Sequence, residues 1–250
     1  MSGAIYMSAA GAMAYEKRMQ VISNNLANIN TSGFKKDKGH FQIIDSPDSV
    51  KEDLEKNVIS KEERQPPLWL QFETKTDFSA GVLKHTGNPL DLALEGDGFF
   101  CIKTEQGTQY TRNGNFSLDQ DGLIVTMDGL SVLGEGGPIN IDGNTFVVDA
   151  KGNVSVDGNL VDTIKIVEFQ KKDALKKTGS SLFAIADNNA VESKVENIGV
   201  SQGFIELSNV NAIRMITEMI EVLRGYESYQ KAIKTADETN AKAINDVGRV

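Results

Sequence analysis

The chain has few of the residues that disulfides, metal sites and nucleic-acid surfaces require. Cys101 is the one cysteine, so an internal disulfide is excluded, and with only His40 and His85 as histidines a structural zinc site is not expected. A formal charge of −9 argues against a nucleic-acid partner, because phosphate contact needs a basic patch.

Long apolar runs are also missing. No stretch of 18 apolar residues occurs, so the sequence predicts no membrane-spanning helix. The N-terminus lacks a basic segment followed by an apolar one, and an ordinary cleaved secretory signal is therefore not expected.

Recognisable catalytic and cofactor-binding motifs are absent from the sequence. Gly96-x-Gly98 is followed by Cys101 where a dinucleotide fingerprint needs a third glycine. Neither a nucleophile elbow nor a phosphate-binding loop occurs. We expect no cofactor, no metal and no catalytic residue. A hydrolase built on two carboxylates stays open as an alternative, because the chain has 35 acidic residues.

Proline and glycine are unevenly distributed along the chain. All five prolines lie between Pro47 and Pro138, and 17 of the 23 glycines lie between Gly81 and Gly203. The two ends can therefore form long helices, whereas the middle is punctuated by turns as in a β domain.

Residues 3–28 show the heptad pattern of a helix that packs along a narrow seam. The helix is predicted to end at residues 31–34, where Gly33 would supply a positive φ. The seam positions are Ile5, Ser8, Ala12, Tyr15, Met19, Ile22, Leu26 and Ile29.

Residues 207–247 predict a second, longer helix, with Ser208 or Asn209 as its N-cap. Gly225 inside this helix should cost about 1 kcal/mol relative to alanine. The apolar positions with 3,4 spacing are Ile216, Met219, Leu223, Tyr226, Ile233, Ile244 and Val247, and Ile213 and Ile220 widen the stripe near its start.

Two interpretations of these helices stay open. They can form an intramolecular hairpin packed on the β core, or they can also pack against other chains. Narrow seams, polar seam positions and small residues such as Ala9, Ala10 and Ala14 favour the second interpretation. The predicted assembly-interface residues are Ile5, Ala12, Met19, Ile22, Leu26, Ile213, Ile216, Met219, Leu223, Tyr226, Ile233 and Ile244.

The middle of the chain has the pattern of an all-β domain. Short β-rich runs are separated by turn dipeptides, which indicates a sandwich or a barrel-like arrangement. The charged segment 49–64 is expected to form a short solvated helix in a linker. Type I′ hairpin turns are expected at Asn113–Gly114 and at the Asp-Gly pairs 97–98, 121–122, 128–129, 142–143 and 157–158.

The predicted fold class is therefore α+β. The long terminal helices pair as a coiled-coil-like inner domain, and the middle forms the all-β domain. The expected division is residues 1–34 (N-terminal helix), 35–80 (linker or insertion), 81–205 (central β domain) and 206–250 (C-terminal helix).

Three stretches of the sequence resemble the signatures of the flagellar rod and hook axial proteins. They are residues 23–34, residues 86–116, and residues 206–227. Within that family the chain is most similar to proximal-rod members, with distal-rod members next. The residues that carry the resemblance are Asn24, Asn25, Leu26, Asn28, Gly33, Phe34, Thr86, Gly87, Leu90, Asp91, Gly96, Gly98, Phe99, Phe100, Tyr110, Arg112, Gly114, Ser208, Asn209 and Val210.

The resemblance implies a structural subunit and not an enzyme. Such proteins pair their terminal helices around an axial channel and stack helically, with copies of themselves and with neighbouring rod proteins, into the drive shaft of the motor. The expected location is the periplasmic rod of the basal body, reached through the flagellar type III export apparatus without a cleaved signal. The alternative is a soluble module whose β domain binds a glycan or peptide and whose terminal helices oligomerise it.

Overall fold

The computed structural model describes residues 2–44, 69–143, 145–186, 191–195 and 199–247, which divide into two units. The helical unit comprises residues 1–26, 37–75 and 212–250, and the β-rich unit comprises residues 27–36 and 76–211. A long helix at each end and a β-rich middle confirm the α+β class. The solvated helix expected at 49–64 lies outside the described residues.

The helical unit contains both terminal helices and a strand pair. Helix α1 spans Ser2–Ala27 and helix α2 spans Ala212–Val247. Strands β1 (Asp37–Ile44) and β2 (Trp69–Thr76) form a two-stranded sheet within the range expected to be a linker.

Helix α2 begins later than the sequence pattern predicts. Residues 207–211 are not helical, so the expected N-cap at Ser208 or Asn209 is wrong. The Asn209 amide is instead occupied within the β-rich unit. Its Oδ1 accepts from the Lys36 N–H at 2.8 Å, and its Nδ2 donates to the Asp77 carbonyl at 2.7 Å. The Ser208 hydroxyl accepts from the Val210 N–H at 3.3 Å.

The β-rich unit is built around a six-stranded sheet with the strand order β15-β16-β6-β5-β14-β17. The smaller sheets are β11-β12-β13, β7-β8, β9-β10, β4-β18 and β3-β19. The strands are β3 (Leu83–His85), β4 (Leu92–Glu95), β5 (Phe99–Thr104), β6 (Gly107–Thr111), β7 (Phe116–Leu118), β8 (Ile124–Thr126), β9 (Leu133–Gly134), β10 (Gly137–Pro138), β11 (Phe146–Val148), β12 (Asn153–Val156), β13 (Asn159–Thr163), β14 (Ile166–Phe169), β15 (Leu175–Gly179), β16 (Leu182–Ile185), β17 (Glu192–Lys194), β18 (Gly199–Gln202) and β19 (Phe204–Glu206).

Strand β5 has a buried core on each of its faces. Successive side chains of a strand point to opposite sides of the sheet. Phe99 and Cys101 therefore join an aromatic cluster with Phe183, whereas Phe100 and Ile102 join the larger aliphatic core. The run of apolar residues in β5 thus reflects a strand that is covered on both faces.

The turns follow the predicted type at one of the Asp-Gly pairs. Asp157 and Gly158 have φ of 49° and 83°, so both central residues are left-handed, as a type I′ turn requires. At 121–122 and 128–129 only the glycine has a positive φ, and the type I′ prediction is wrong there. Gly114 has no positive φ; a side chain at this position would overlap the Leu92 carbonyl.

Candidate functional site

The buried apolar side chains of helix α1 lie at two of the predicted seam positions. Ala12 and Ile22 are buried, with exposed fractions of 9% and 3%. The other described seam positions of α1, namely Ile5, Ser8, Tyr15, Met19 and Leu26, are half-buried. The two buried apolar residues of this helix therefore lie at positions of the heptad pattern.

Helix α2 packs on a face rotated by one residue from the predicted seam. Met215 and Val222 are buried, whereas their neighbours Ile216 and Leu223 are 50% and 40% exposed. Met219, Tyr226 and Ile233 are half-buried, as their seam positions suggest. Ile213 is exposed, and the side chain of Ile244 lies outside the described part of the structure.

The two helices meet at a reciprocal pair of glycines and tyrosines. A side chain at Gly225 would overlap the ring of Tyr15, and a side chain at Gly11 would overlap the ring of Tyr229. The two tyrosine rings contact each other, with centroids 5.5 Å apart and planes at 49°. Because residue numbers rise along α1 as they fall along α2, these contacts are antiparallel.

Apolar side chains also form a stripe on the exposed side of α2. Ile213, Ile216, Ile220 and Leu223 are 79%, 50%, 45% and 40% exposed and have the 3,4,3 spacing of one helix face. Met215 and Val222 lie on another face, which is buried. We call the four exposed residues the outer stripe. They leave α2 with an apolar surface that the described part of the subunit does not cover.

Asn25 connects α1 to β1 within the helical unit. Its side chain is 2% exposed; Nδ2 donates to the Asp37 carbonyl at 2.8 Å and Oδ1 accepts from the Asp37 N–H at 2.9 Å. One amide thus satisfies both backbone groups of Asp37, in the manner of a neighbouring strand.

A buried cluster of charged side chains in the β-rich unit joins parts of the chain at or next to the three motif stretches. Lys35 directly follows the first stretch, Arg112 lies in the second, and Glu206 begins the third. Lys35 Nζ lies 2.6 Å from Glu206 Oε1 and donates to the Ser79 carbonyl at 2.9 Å. Arg112 Nη1 lies 3.7 Å from Glu206 Oε2, and the guanidinium is 5.4 Å from the Phe99 ring centroid. Burial lowers the pKa of both Lys35 and Arg112, and the Glu206 carboxylate opposes that shift.

Backbone hydrogen bonds hold the same segments together. The Gly33 N–H donates to the Glu206 carbonyl at 2.8 Å, and the Asn209 N–H donates to the Phe34 carbonyl at 3.3 Å. Gly33 has φ of 67°, which confirms the predicted left-handed stop after α1. A side chain at Gly33 would also overlap the backbone of Asn113, so the close approach excludes larger residues.

The second motif forms a network of turns around β4 and β18. Gly203 accepts from the backbone of Thr86 and Gly87 and donates to the Asp91 carbonyl at 2.8 Å. Asn115 Nδ2 donates to Asp91 Oδ1 at 2.9 Å. The remaining motif residues of the β-rich unit are Asn28, Leu90, Gly96, Gly98, Phe99, Phe100, Tyr110, Gly114, Ser208 and Val210, and Asn24 and Leu26 lie on α1.

Several of the contributing residues are missed by pattern alone. Lys35 belongs to the charged run 35–38, which resembles a solvated surface, and its partner Glu206 is 171 residues away. Gly11 and Tyr229 have one detectable signal: Gly-x-x-x-Tyr occurs once in each helix, at 11–15 and at 225–229.

The titratable groups of the aromatic cluster are not arranged for chemistry. Cys101 is fully buried, and burial raises the pKa of its thiol to about 12, which keeps it protonated and unreactive. Tyr110 donates to Glu192, and burial together with this hydrogen bond raises the pKa of its hydroxyl. Among the described residues no group of three or more His, Cys, Asp or Glu could hold a metal ion.

Three family models match the chain along most of its length. "Flagella basal body rod protein" matches residues 5–35, "Flagellar hook protein FlgE/F/G D1 domain" matches 93–156, and "Flagellar basal body rod FlgEFG protein C-terminal" matches 201–246. The matched segments cover nearly all of α1 and α2 and much of the β-rich unit.

Curated relatives align with nearly the whole chain. The flagellar basal-body rod protein FlgG of Bacillus subtilis is 36% identical over 96% of this chain and 97% of its own length. The FlgF rod proteins of Mesorhizobium japonicum and Rhizobium meliloti are 30% and 31% identical, over 99% of both chains in each alignment.

The chain belongs to the family of flagellar basal-body rod proteins, of the FlgF and FlgG type. It is a structural subunit of the flagellar rod in the basal body, and the family is not enzymatic. No helix in the described part of the chain is long and apolar enough to cross a membrane.

Proposed function

We propose that this subunit builds the rod by stacking helically, with copies of itself and with other axial proteins, into a hollow shaft that transmits motor torque. The observation that carries the proposal is the outer stripe of α2. Head-to-tail contacts that do not close on themselves generate a filament, so a surface of this kind suits an open helical assembly.

The chemistry of the outer stripe fits a neighbouring subunit as its occupant. Fully burying a large aliphatic side chain stabilises an interface by about 1.5–3 kcal/mol. Ile213, Ile216, Ile220 and Leu223 are all large aliphatics in one row, and the adjacent face of α2 is already occupied within the subunit. The stripe is therefore suited to pack against a helix of the next subunit, as the predicted assembly interface requires.

In this proposal α1 and α2 form a coiled-coil-like inner domain. The seam of α1, the buried face of α2 and the antiparallel glycine–tyrosine contacts support such pairing within one subunit. The outer stripe then faces away from the intramolecular seam, toward other subunits.

The proposal also includes the route to the rod. Passage through the flagellar type III export apparatus, without a cleaved signal, would deliver the subunit unfolded to the periplasmic part of the basal body. A single cysteine suits such passage, because a chain with one thiol cannot form wrong internal disulfides in transit.

Paired aspartate substitutions on α2 test the proposal. Ile216→Asp combined with Leu223→Asp should abolish rods and swimming, while purified protein keeps its circular dichroism spectrum, because both side chains are exposed in the subunit. Ser228→Asp adds a charge at another exposed position of the same helix and is the matched control. Normal rods in the double variant would refute the assembly role of the outer stripe.

A further inference from the structure

The buried cluster in the β-rich unit has two cations for one carboxylate. Lys35, Arg112 and Glu206 are 1%, 3% and 2% exposed. Glu206 Oε1 accepts from Lys35 Nζ and from the Gly81 N–H, both at 2.6 Å. Oε2 has no hydrogen-bond partner among the described residues and faces Arg112. A buried charge is costly unless it is paired, so both cations draw on this acid. Arg112 also interacts with Asp97 and donates to the Leu94 and Gly96 carbonyls, whereas Lys35 has Glu206 as its ion-pair partner.

The cluster also connects two segments that lie far apart in the chain. Lys35 lies in the segment that follows α1, and Glu206 lies in the segment that precedes α2. Around the ion pair, Gly33, Lys36 and Phe34 bond to Glu206 and Asn209 through their backbones. We call residues 33–36 and 206–209, with these bonds, the latch. The latch lies wholly within the β-rich unit.

We propose that Glu206 is a positioning residue that docks the segment leading out of α1 beside the segment leading into α2. Without its carboxylate, Lys35 would enter the core as an unpaired cation next to Arg112. Because the partners are 171 positions apart in the chain, residues 33–36 can dock only after the β-rich unit has folded far enough to bring residue 206 to them. The latch thus makes the junction of both terminal helices depend on a nearly complete chain.

Charge arithmetic separates this role from general packing. The cluster carries a net charge of +1 from two cations and one anion. Glu206→Gln raises it to +2, whereas Lys35→Met combined with Glu206→Gln returns it to +1. Breaking a buried pair from one side is more disruptive than replacing both partners. In the double variant, residues 33–36 and 206–209 should therefore be held together more firmly than in the Glu206→Gln single variant.

Amide hydrogen exchange on the full chain measures the latch directly. In Glu206→Gln, exchange at the Gly33 and Lys36 amides should rise about tenfold or more, because both amides bond across the latch. Amides of β5 and β6, such as those of Ile102 and Tyr110, should keep their protection. In Lys35→Met/Glu206→Gln, exchange at Gly33 and Lys36 should return most of the way to the wild-type rate. Glu95→Gln, which changes an exposed acid, is the control.

Each other outcome contradicts the proposal. Unchanged exchange at Gly33 and Lys36 in Glu206→Gln would show that the carboxylate does not hold the segments. If Glu206→Gln loses protection equally in β5, β6 and the latch, and the double variant does not restore it, then Glu206 stabilises the whole unit and does not specifically hold the two segments together. If Glu206→Gln does not fold, the double variant decides: folding with a protected latch supports the proposal, and failure to fold overturns it.

Discussion

The ring of Tyr15 on α1 fills the space in which Gly225 on α2 has no side chain. The relationship is repeated in reverse a turn away, where the ring of Tyr229 lies over Gly11. Glycine in a helix interior is unfavourable by propensity, but here it allows the helices to approach a tyrosine ring closely. The register of the two helices is therefore encoded by two small-large pairs.

Gly225→Ala should destabilise the protein, although alanine is the better helix former. The added methyl group would overlap the Tyr15 ring, and overpacking of this kind costs about 1–3 kcal/mol, which at its lower end equals and otherwise exceeds the gain of about 1 kcal/mol in propensity. Thermal unfolding followed by helical circular dichroism measures the effect. Ser228→Ala, at an exposed position of α2, should be neutral or slightly stabilising. A higher melting temperature in Gly225→Ala would show that Tyr15 does not occupy this space.

Truncation of two adjacent residues on α2 should have very different effects on stability. Met215→Ala should lower the free energy of unfolding by about 2–5 kcal/mol because Met215 is buried. Ile216→Ala should change it by no more than about 0.5 kcal/mol, since Ile216 is half exposed. Urea unfolding of the two purified variants makes the comparison. Equal losses of stability in the two variants would mean that Ile216 is packed within the subunit as Met215 is, which is the position that the heptad pattern alone predicts.

Asn25→Asp should weaken the connection between α1 and β1. A carboxylate can accept from the Asp37 N–H but cannot donate to the Asp37 carbonyl, which would lose its buried partner. Leaving a buried acceptor unsatisfied costs about 1–3 kcal/mol. Ser23→Ala, at an exposed position two residues earlier, is the control in the same unfolding assay. Equal stability of Asn25→Asp and Ser23→Ala would rule out the two hydrogen bonds as a stabilising pair.

Stability should fall at alkaline pH. Burial raises the pKa of the Cys101 thiol to about 12, and burial with the Glu192 hydrogen bond raises the pKa of Tyr110. In the unfolded chain these groups titrate near about 8.5 and 10. Above pH of about 9 the unfolded state therefore loses protons that the folded state keeps, which favours unfolding.

Melting temperatures between pH 8 and pH 11 test this dependence. Each group that stays protonated only in the folded state removes up to about 1.4 kcal/mol of stability per pH unit. Cys101→Ala should flatten the decline above pH of about 9. The intact protein should also resist thiol reagents until it unfolds. Fast labelling of Cys101 in folded protein would contradict its burial.

The heptad row of α1 contains both of its buried apolar residues, Ala12 and Ile22, so the sequence pattern could locate them. Helix α2 has two apolar rows, one through Met215 and Val222 and one through Ile216 and Leu223, and periodicity cannot choose between them. The row through Met215 and Val222 is the buried one, and Tyr229, whose ring contacts Tyr15 on α1, continues it. Sequence pattern predicts that a packed face exists, and tertiary packing decides which row forms it.

The latch could not be predicted from the sequence for a related reason. Lys35 lies in a run of charged residues, and charge in such a run usually indicates solvent exposure. Its burial depends on Glu206, which lies far away in the chain and reaches it only in the folded β-rich unit. Long-range bonding also explains why α2 begins at a later residue than predicted, because Asn209 binds Lys36 and Asp77 instead of capping the helix.

An electron-microscopy map of this protein in an intact basal body tests the central claim most directly. We expect Ile216 and Leu223 to be buried against a neighbouring subunit, with Tyr15 packed over Gly225 of the same chain. An outer stripe that faces solvent or the axial channel, or an α1 paired with the α2 of another subunit, would contradict the account.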